Sequence, residues 1–437
     1  MINEADTGAA SVEIRTIRKL QLRLIPCLFA LYVVAFVDRI NLGFAALTMN
    51  RELDITSEQF GFAAGVFFFG YFLFEIPSNL ILHKVGARIW IARILVTWGA
   101  VATLTGFVQN AHQLYLARFV LGLAEAGYFP GIILYLSYWF RQREKAQTIA
   151  LFMTGIPVAS ILGGPLSGII LDHVHWLNLS SWRWLLILEG FPAIVGGIVA
   201  YFLLPNRPSQ ARFLTEEEKK WILEELERED RQKQEGRRIS ALQTLMNPRV
   251  WVLACIGFAH AFGGYTFFFW LPQLIKSVLS GYSNSMIGFL VMIFNLVGLA
   301  GMIVVSCHSD FTLERRYHMG ISVALAGVSL MLLGTARSPF FSIALLSCVG
   351  LGVYSFLPVF FALPSEFLIG FSAASGIALI TSVANLGGFA GPYTVGFIRQ
   401  SMGSLYPGLA CAGISLLLAG ILALMLPRGA LFCRSNQ

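Results

Sequence analysis

The chain has 437 residues, 56% of them hydrophobic and only 13% charged, with a net charge of +7 and a mean hydropathy of +0.70. A soluble domain carries about 25% charged residues, so a soluble enzyme with a wetted surface is excluded, as are disorder, collagen and coiled coil. The basic residues sit in short loops between apolar runs, which fits membrane orientation better than nucleic-acid binding.

Residues 1–20 are polar, with Glu4, Asp6 and Glu13 among them, and lack the pattern of a cleaved signal peptide. Apolar runs follow at 22–45, 58–82, 89–108, 113–139, 147–171, 183–204, 250–274, 284–307, 318–336, 339–363, 371–398 and 405–426. Each of the twelve can cross about 30 Å of hydrocarbon. They are continuous rather than alternating, so they predict helices and an all-α polytopic membrane protein. Pro77, Pro130, Pro157, Pro358 and Pro364 are tolerated in such bundles. The polar segment 206–248 divides the twelve into two six-helix halves, 1–205 and 249–437. Thr215-Glu216-Glu217-Glu218 reads as a capping box that starts an amphipathic surface helix, with Trp221, Ile222 and Leu226 on one side.

With the N-terminus inside, 24 of the 31 basic residues fall in cytoplasmic segments. Arg51, Arg183, Lys276, Arg337 and Arg399 lie outside, and Arg39 and Arg118 lie within spans. That bias places both termini in the cytoplasm. A weak internal repeat supports duplication. The segment from Asn79 through His83, Lys84, Gly86 and Arg88 ends the second span, and Ser306 through Asp310, Glu314, Arg315 and Arg316 ends the eighth. Gly163-Gly164-Pro165 and Gly387-Gly388 form a second pair. Duplicated halves with a site between them are a secondary-transporter arrangement.

Charges inside spans cost roughly 2.5–3.5 kcal/mol each at a helix centre. Asp38 and Arg39 lie in the first span, Arg118 and Glu125 in the fourth. Neighbours in a helix point about 100° apart, so Asp38 and Arg39 should serve different partners; seven residues put Arg118 and Glu125 on one face, about 10.5 Å apart. An acid in a low-dielectric cavity suits proton exchange, and a guanidinium suits a carboxylate substrate. The alternative for both pairs is a structural ion pair. Glu75 and Glu366 near cytoplasmic ends, and Glu189 in the sixth span, read as structural. Tyr71, Tyr265, Tyr354 and Asn385 could line a cavity or bond between helices, and His260 is a possible proton site for which packing is the better reading. The phenylalanines read as packing or lipid-facing residues. Gly61-x-x-x-Gly65, Gly164-x-x-x-Gly168 and Gly387-x-x-x-Gly391 allow close helix approach. The six cysteines form no CxxC pair and read as reduced packing residues; His173-Val-His175 lacks a third ligand, so no metal or cofactor is expected.

The segment Asn79–Arg88 and its echo Asp310–Arg316 resemble the cytoplasmic motif of the major facilitator superfamily. Asp38-Arg39-Ile40-Asn41, Glu75-Ile-Pro-Ser-Asn79, Arg118 through Glu125-Ala-Gly-Tyr-Phe-Pro-Gly131 and Asn385 through Pro392 resemble its anion:cation symporter family, notably the bacterial tartrate-, phthalate- and nicotinate-type members. The resemblance implies proton-coupled symport of an organic anion by alternating access, in the inner membrane, by a monomer. It assigns proton coupling to Asp38, Glu125 and their partner Arg118, and substrate contact to Arg39, Tyr71 and Asn385. It assigns the gate motif to His83, Lys84, Arg88, Asp310 and Arg315, although His83-Lys84 replaces the usual acid–arginine pair and Phe311 stands where a base is common. Two rivals remain: a proton-coupled exporter of drugs or metabolites, loosely suggested by Gly163-Gly164-Pro165, and a non-transporting sensor, for which the tail after Pro427 offers no output module.

Overall fold

Backbone in lipid must satisfy its own hydrogen bonds, and this sequence does so with helices. The computed structural model describes residues 4–235, 243, 245–364 and 371–426. Glu366, Cys433 and the tail after Pro427 lie outside the described residues. In the first half, α1 is Glu4–Glu52, α2 Ser57–Val85, α3 Ala87–Thr105, α4 Ala111–Glu125, α5 Tyr128–Ser137, α6 Gln142–Met153, α7 Gly155–His173 and α8 Ser181–Leu203. The central segment contributes α9, Glu216–Glu235. Then come α10 Pro248–Val278, α11 Asn284–Thr312, α12 Arg316–Leu332, α13 Pro339–Ala362, α14 Phe371–Met402 and α15 Tyr406–Leu424. Eleven segments among the described residues are long and apolar enough to cross a membrane. The 32-residue α14 occupies the remaining place in the series of twelve.

Two runs that the sequence reads as single helices are broken. In the fourth, α4 stops at Glu125; Ala126 is extended (ψ 132°) and Gly127 is left-handed (φ 85°). A Cβ on residue 127 would also lie 2.3 Å from the Ser78 Oγ, so glycine is required there twice over. Pro130, in the first turn of α5, needs no N–H donor at that position. The fifth run is divided at Thr154 between α6 and α7.

The first helix begins well before its apolar run. Arg15 and Lys19 on that polar extension both reach Glu218 of α9, each at 2.8 Å, and Arg15 also reaches Glu217. The capping box forms as read: the Glu218 amide donates to Thr215 Oγ1 at 3.3 Å and the Thr215 amide to Glu218 at 2.9 Å. Burial alone would raise the pKa of Glu218; hydrogen bonds from Lys19, the Thr215 amide and Arg15 more than offset it and hold the carboxyl below its ordinary range. Arg141, between α5 and α6, joins Glu13, Glu144 and Glu225 and covers the Trp221 ring at 5.1 Å. The central helix is thereby docked on the first half.

The halves meet through α2 against α14, α7 against α11, and α1 against α10. The glycine pairs act as read. A Cβ on Gly61 would sit 2.5 Å from the Pro392 oxygen, and one on Gly168 2.4 Å from the Asn284 oxygen. At the end distal to α9, Asp172 of α7 caps α11. It accepts from the Asn284 amide (3.2 Å) and Nδ2 (2.8 Å), and from the Ser285 amide (2.7 Å) and Oγ (2.6 Å). Ser57–Gln400 (3.3 Å) and Tyr393–Glu58 (3.2 Å) add to that seal. At the α9 end the residues that the resemblance assigns to a gate find partners in their own half. His83 meets Tyr138 at 3.3 Å, Arg88 meets Asn206 and the Tyr201 carbonyl, and Arg315 meets Asp310 at 2.9 Å. Lys84 is exposed.

Candidate transport cavity

Between the two halves lies a partly open cavity of about 140 Å³. Arg39 of α1, Tyr71 and Glu75 of α2 and Glu125 of α4 line it from the first half; His260 and Tyr265 of α10 and Asn385 of α14 line it from the second.

Arg39 is the centre of this wall. Its guanidinium is ion-paired with Glu125 and donates to the Tyr265 hydroxyl of the other half at 3.4 Å. The rings of Phe36 (4.9 Å), Phe67 (5.1 Å) and Tyr71 (5.9 Å) surround it. Glu125 is the last residue of α4, facing the negative end of its own helix, so its charge depends on Arg39 for compensation. A proton on Glu125 would release the planar fork of Arg39 for a carboxylate.

Asp38 serves different partners, as the helical offset predicts, and it does not line the cavity. It is buried behind Arg39, accepting from Trp98 Nε1 at 2.6 Å and Asn41 Nδ2 at 3.1 Å. Arg118 departs from the partnership implied for it. Glu125 is taken by Arg39, and among the described residues Arg118 forms no ion pair within 4.0 Å and its buried Nε and Nη2 find no hydrogen-bond partner. It lies over the Phe67 ring at 5.0 Å and feels Asp38 only at longer range. The shared face of α4 leaves it about 10.5 Å along the axis from Glu125, too far for contact. Glu189, also buried, accepts from Ser167 at 2.7 Å and faces Asp38 and Asn41, a second polar cluster inside the first half.

Tyr71 and Asn385 line the cavity as expected. Tyr354 does not: its hydroxyl bonds Asn295 and Ser160, joining α13 to α11 and α7. His260 touches the cavity but bonds the Val353 carbonyl at 3.0 Å and stacks on Phe356 at 4.0 Å, a packing role. The main omission is Glu75. Far from snorkelling, it is only 5% exposed, and it accepts from Ser382 and Asn385 across the interface, each at 3.4 Å. The helix runs ten residues beyond it to Val85, about 15 Å, so its place in sequence understated its depth. Glu75 itself opens the Glu75-Ile-Pro-Ser-Asn79 segment that carries the family resemblance, and that is where the sequence signal lay.

Residues 28–392 match the family model described as Major Facilitator Superfamily. The chain belongs to that superfamily. It is a multi-pass membrane transporter, not an enzyme. Among superfamily relatives, the protein named "Putative tartrate transporter" in Agrobacterium vitis is 43% identical over 96% of each chain. The "Quinolone resistance transporter" of Acinetobacter baumannii is 37% identical over 93% of each. A crystal structure of a bacterial homolog of the human lysosomal transporter Spinster, in an inward-facing and occupied conformation, has a TM-score of 0.74 at 15% identity, covering 92% of this chain and 95% of that one. At that identity the likeness concerns the fold.

Proposed function

We propose that the chain imports a small organic carboxylate together with protons by alternating access, as a monomer in the cytoplasmic membrane with both termini and the central helix inside. The observation that carries this reading is the Arg39–Glu125 pair in the cavity wall, within reach of Tyr265 on the opposite half. A proton arriving from outside neutralises Glu125, and Arg39 turns its fork to the substrate, with Tyr71 and Asn385 completing the contact. Asp38, bonded to Trp98 and Asn41 behind Arg39 and with the buried Arg118 at longer range, serves as the second proton-coupling acid. The bundles 1–205 and 249–437 then rock about the segment 206–248, and the gate-motif residues His83, Lys84, Arg88, Asp310 and Arg315 engage when the inner end closes. A monoanion carried with one proton moves no net charge; a second proton would add about 2.3 kcal/mol per 100 mV.

The test is uptake of labelled carboxylates into proteoliposomes under an inward acid gradient. Wild type should accumulate a carboxylate, and collapse of the gradient should release it. Lack of gradient-driven accumulation of any carboxylate would sink the reading. The resistance-transporter relative favours one other reading, proton-coupled export. The direction of net flux in the same vesicles separates the two.

A further inference from the structure

The contact between α2 and α14 changes character along its length. From the distal end it is close and dry: a Cβ on Gly65 would lie 2.6 Å from the Phe389 oxygen, and one on Gly388 2.9 Å from the Phe68 ring. Small residues let the two backbones approach that nearly. Two turns further toward the α9 end the contact becomes polar, where Glu75 accepts from Ser382 Oγ and Asn385 Nδ2, each at 3.4 Å. Past that point the polar side chains of α2 turn back to their own half. Ser78 bonds Trp90, Asn79 the Glu75 carbonyl and His83 Tyr138, while Ile76, Leu80 and Val85 are exposed. Among the described residues, Glu75 is thus the innermost side chain of α2 that hydrogen-bonds α14.

That tie is an acid almost wholly out of water, and among the described residues no Lys, Arg or His forms an ion pair with it. The charged groups around it are engaged elsewhere. Arg39 and Glu125 pair with each other, Asp38 is buried behind Arg39, Arg118 of α4 lies over Phe67, and Arg93 of α3 lies over Trp90. Tyr71 stands one turn away on α2, His260 of α10 bonds the Val353 carbonyl, and α14 presents Thr381, Ser382 and Asn385, none of them charged. An ionised Glu75 in this setting is a buried charge served by neutral donors alone, which is strongly unfavourable. The neutral acid keeps its acceptor and gains an O–H donor, for which the Ser382 hydroxyl and the Asn385 amide oxygen are suitable partners. Ionisation therefore calls for water, and water enters fully when α2 draws away from α14. Proton loss and separation of the two helices are linked, each favouring the other.

We propose that Glu75 is a proton-operated strap on the inner mouth: with its proton it ties α2 to α14, and when the proton leaves the two helices part and the α9 end widens. The step is a single proton exchange. The O–H bond of the acid breaks, the proton passes to water in the cavity that Glu75 lines, and the electron pair stays on the carboxylate. The strap acts apart from the Arg39–Glu125 pair and makes inward opening depend on proton activity at the α9 side. It rests on the alternating-access part of the reading above and is the same for any solute.

The experiment is a spin-label distance measurement on the purified full-length protein in lipid nanodiscs, without solute. The native cysteines are replaced by serine, and Val85→Cys and Phe311→Cys carry the labels at the α9 ends of α2 and α11, where both positions are exposed. Distances are read from about pH 5 to about pH 9. With Glu75 present, the population should shift to the longer distance as pH rises. Glu75→Gln, neutral and of the same shape, should hold the shorter distance throughout. Glu75→Ala, which ties nothing, should hold the longer one. A pH response in Glu75→Gln equal to that with Glu75 would overturn the strap. So would a distance that ignores pH when Glu75 is present, or a short distance in Glu75→Ala. Each of those failures leaves carboxylate import standing, because that reading is decided separately by gradient-driven uptake.

Discussion

The two halves divide the work unequally. The first half buries Asp38, Glu75, Arg118, Glu125 and Glu189 in its spans and carries Arg39 on the cavity wall. Among the described residues of the second half, no Asp, Glu, Lys or Arg is buried; it offers Tyr265, Asn385, a packed His260 and a bank of phenylalanines. Glycine contacts fasten the halves together, yet the buried acids and arginines lie in one and the neutral surface in the other. Under the proposed proton-coupled mechanism, such a division would let one bundle change its charge against a neutral counterface. It also means that a change in charge state needs to reorganise only one side of the interface.

Substitutions that break the division should rank by which side they touch. The largest effect is expected from Glu125→Gln and Asp38→Asn, which should abolish proton-driven accumulation while leaving exchange of substrate across the vesicle membrane. Wild-type accumulation by both variants would remove the first half's claim to proton coupling. Next, Arg39→Lys keeps the charge but loses the bidentate fork, so KM for uptake should rise ten- to a hundredfold with less change in maximal rate. On the neutral side the effects should shrink. Asn385→Ala should weaken substrate binding about tenfold, and Tyr265→Phe, which loses only a 3.4 Å contact, less than threefold; both are read by titrating uptake. If Tyr265→Phe proved as damaging as Arg39→Lys, the second half would be more than a counterface.

The smallest effect concerns the docked central helix and is pH-dependent. The Glu218 carboxyl is held below its ordinary range in the folded protein. The stabilisation it provides is therefore fully present above the unfolded value of about 4.3 and is lost as pH falls through the lower folded value. Glu218→Gln should remove that acid dependence and speed proteolysis within 216–235 at neutral pH, without altering uptake.

Much of this was legible in the chain. Twelve long apolar runs, one polar interruption and a Thr-x-x-Glu start are local signals, and each appears where local chemistry puts it. The separate partners of Asp38 and Arg39 followed from the helical turn alone. The break after Glu125 was less visible, because Gly127 and Pro130 are individually tolerated in membrane helices, and the approach of Ser78 that leaves no room for a Cβ at 127 comes from another helix. Arg118 was assigned to Asp38 and Glu125 by resemblance, but Glu125 is taken by Arg39 of another helix, and spacing within α4 carries no news of α1. Glu75 and the aromatic walls were hidden for the same reason. Whether a carboxyl meets Asn385 or a phenylalanine meets a second ring depends on which helices become neighbours, not on periodicity.

The distal seal built around Asp172 has one further consequence. Each of its four donors is a group that water can serve once the faces part, and a hydrogen bond to a charged group such as the Asp172 carboxylate leaves a net difference of about 1.5–3 kcal/mol when exchanged for water. The seal is thus a set of bonds that can open and re-form, and it leaves the sense of traffic to the ion and solute concentrations on the two faces.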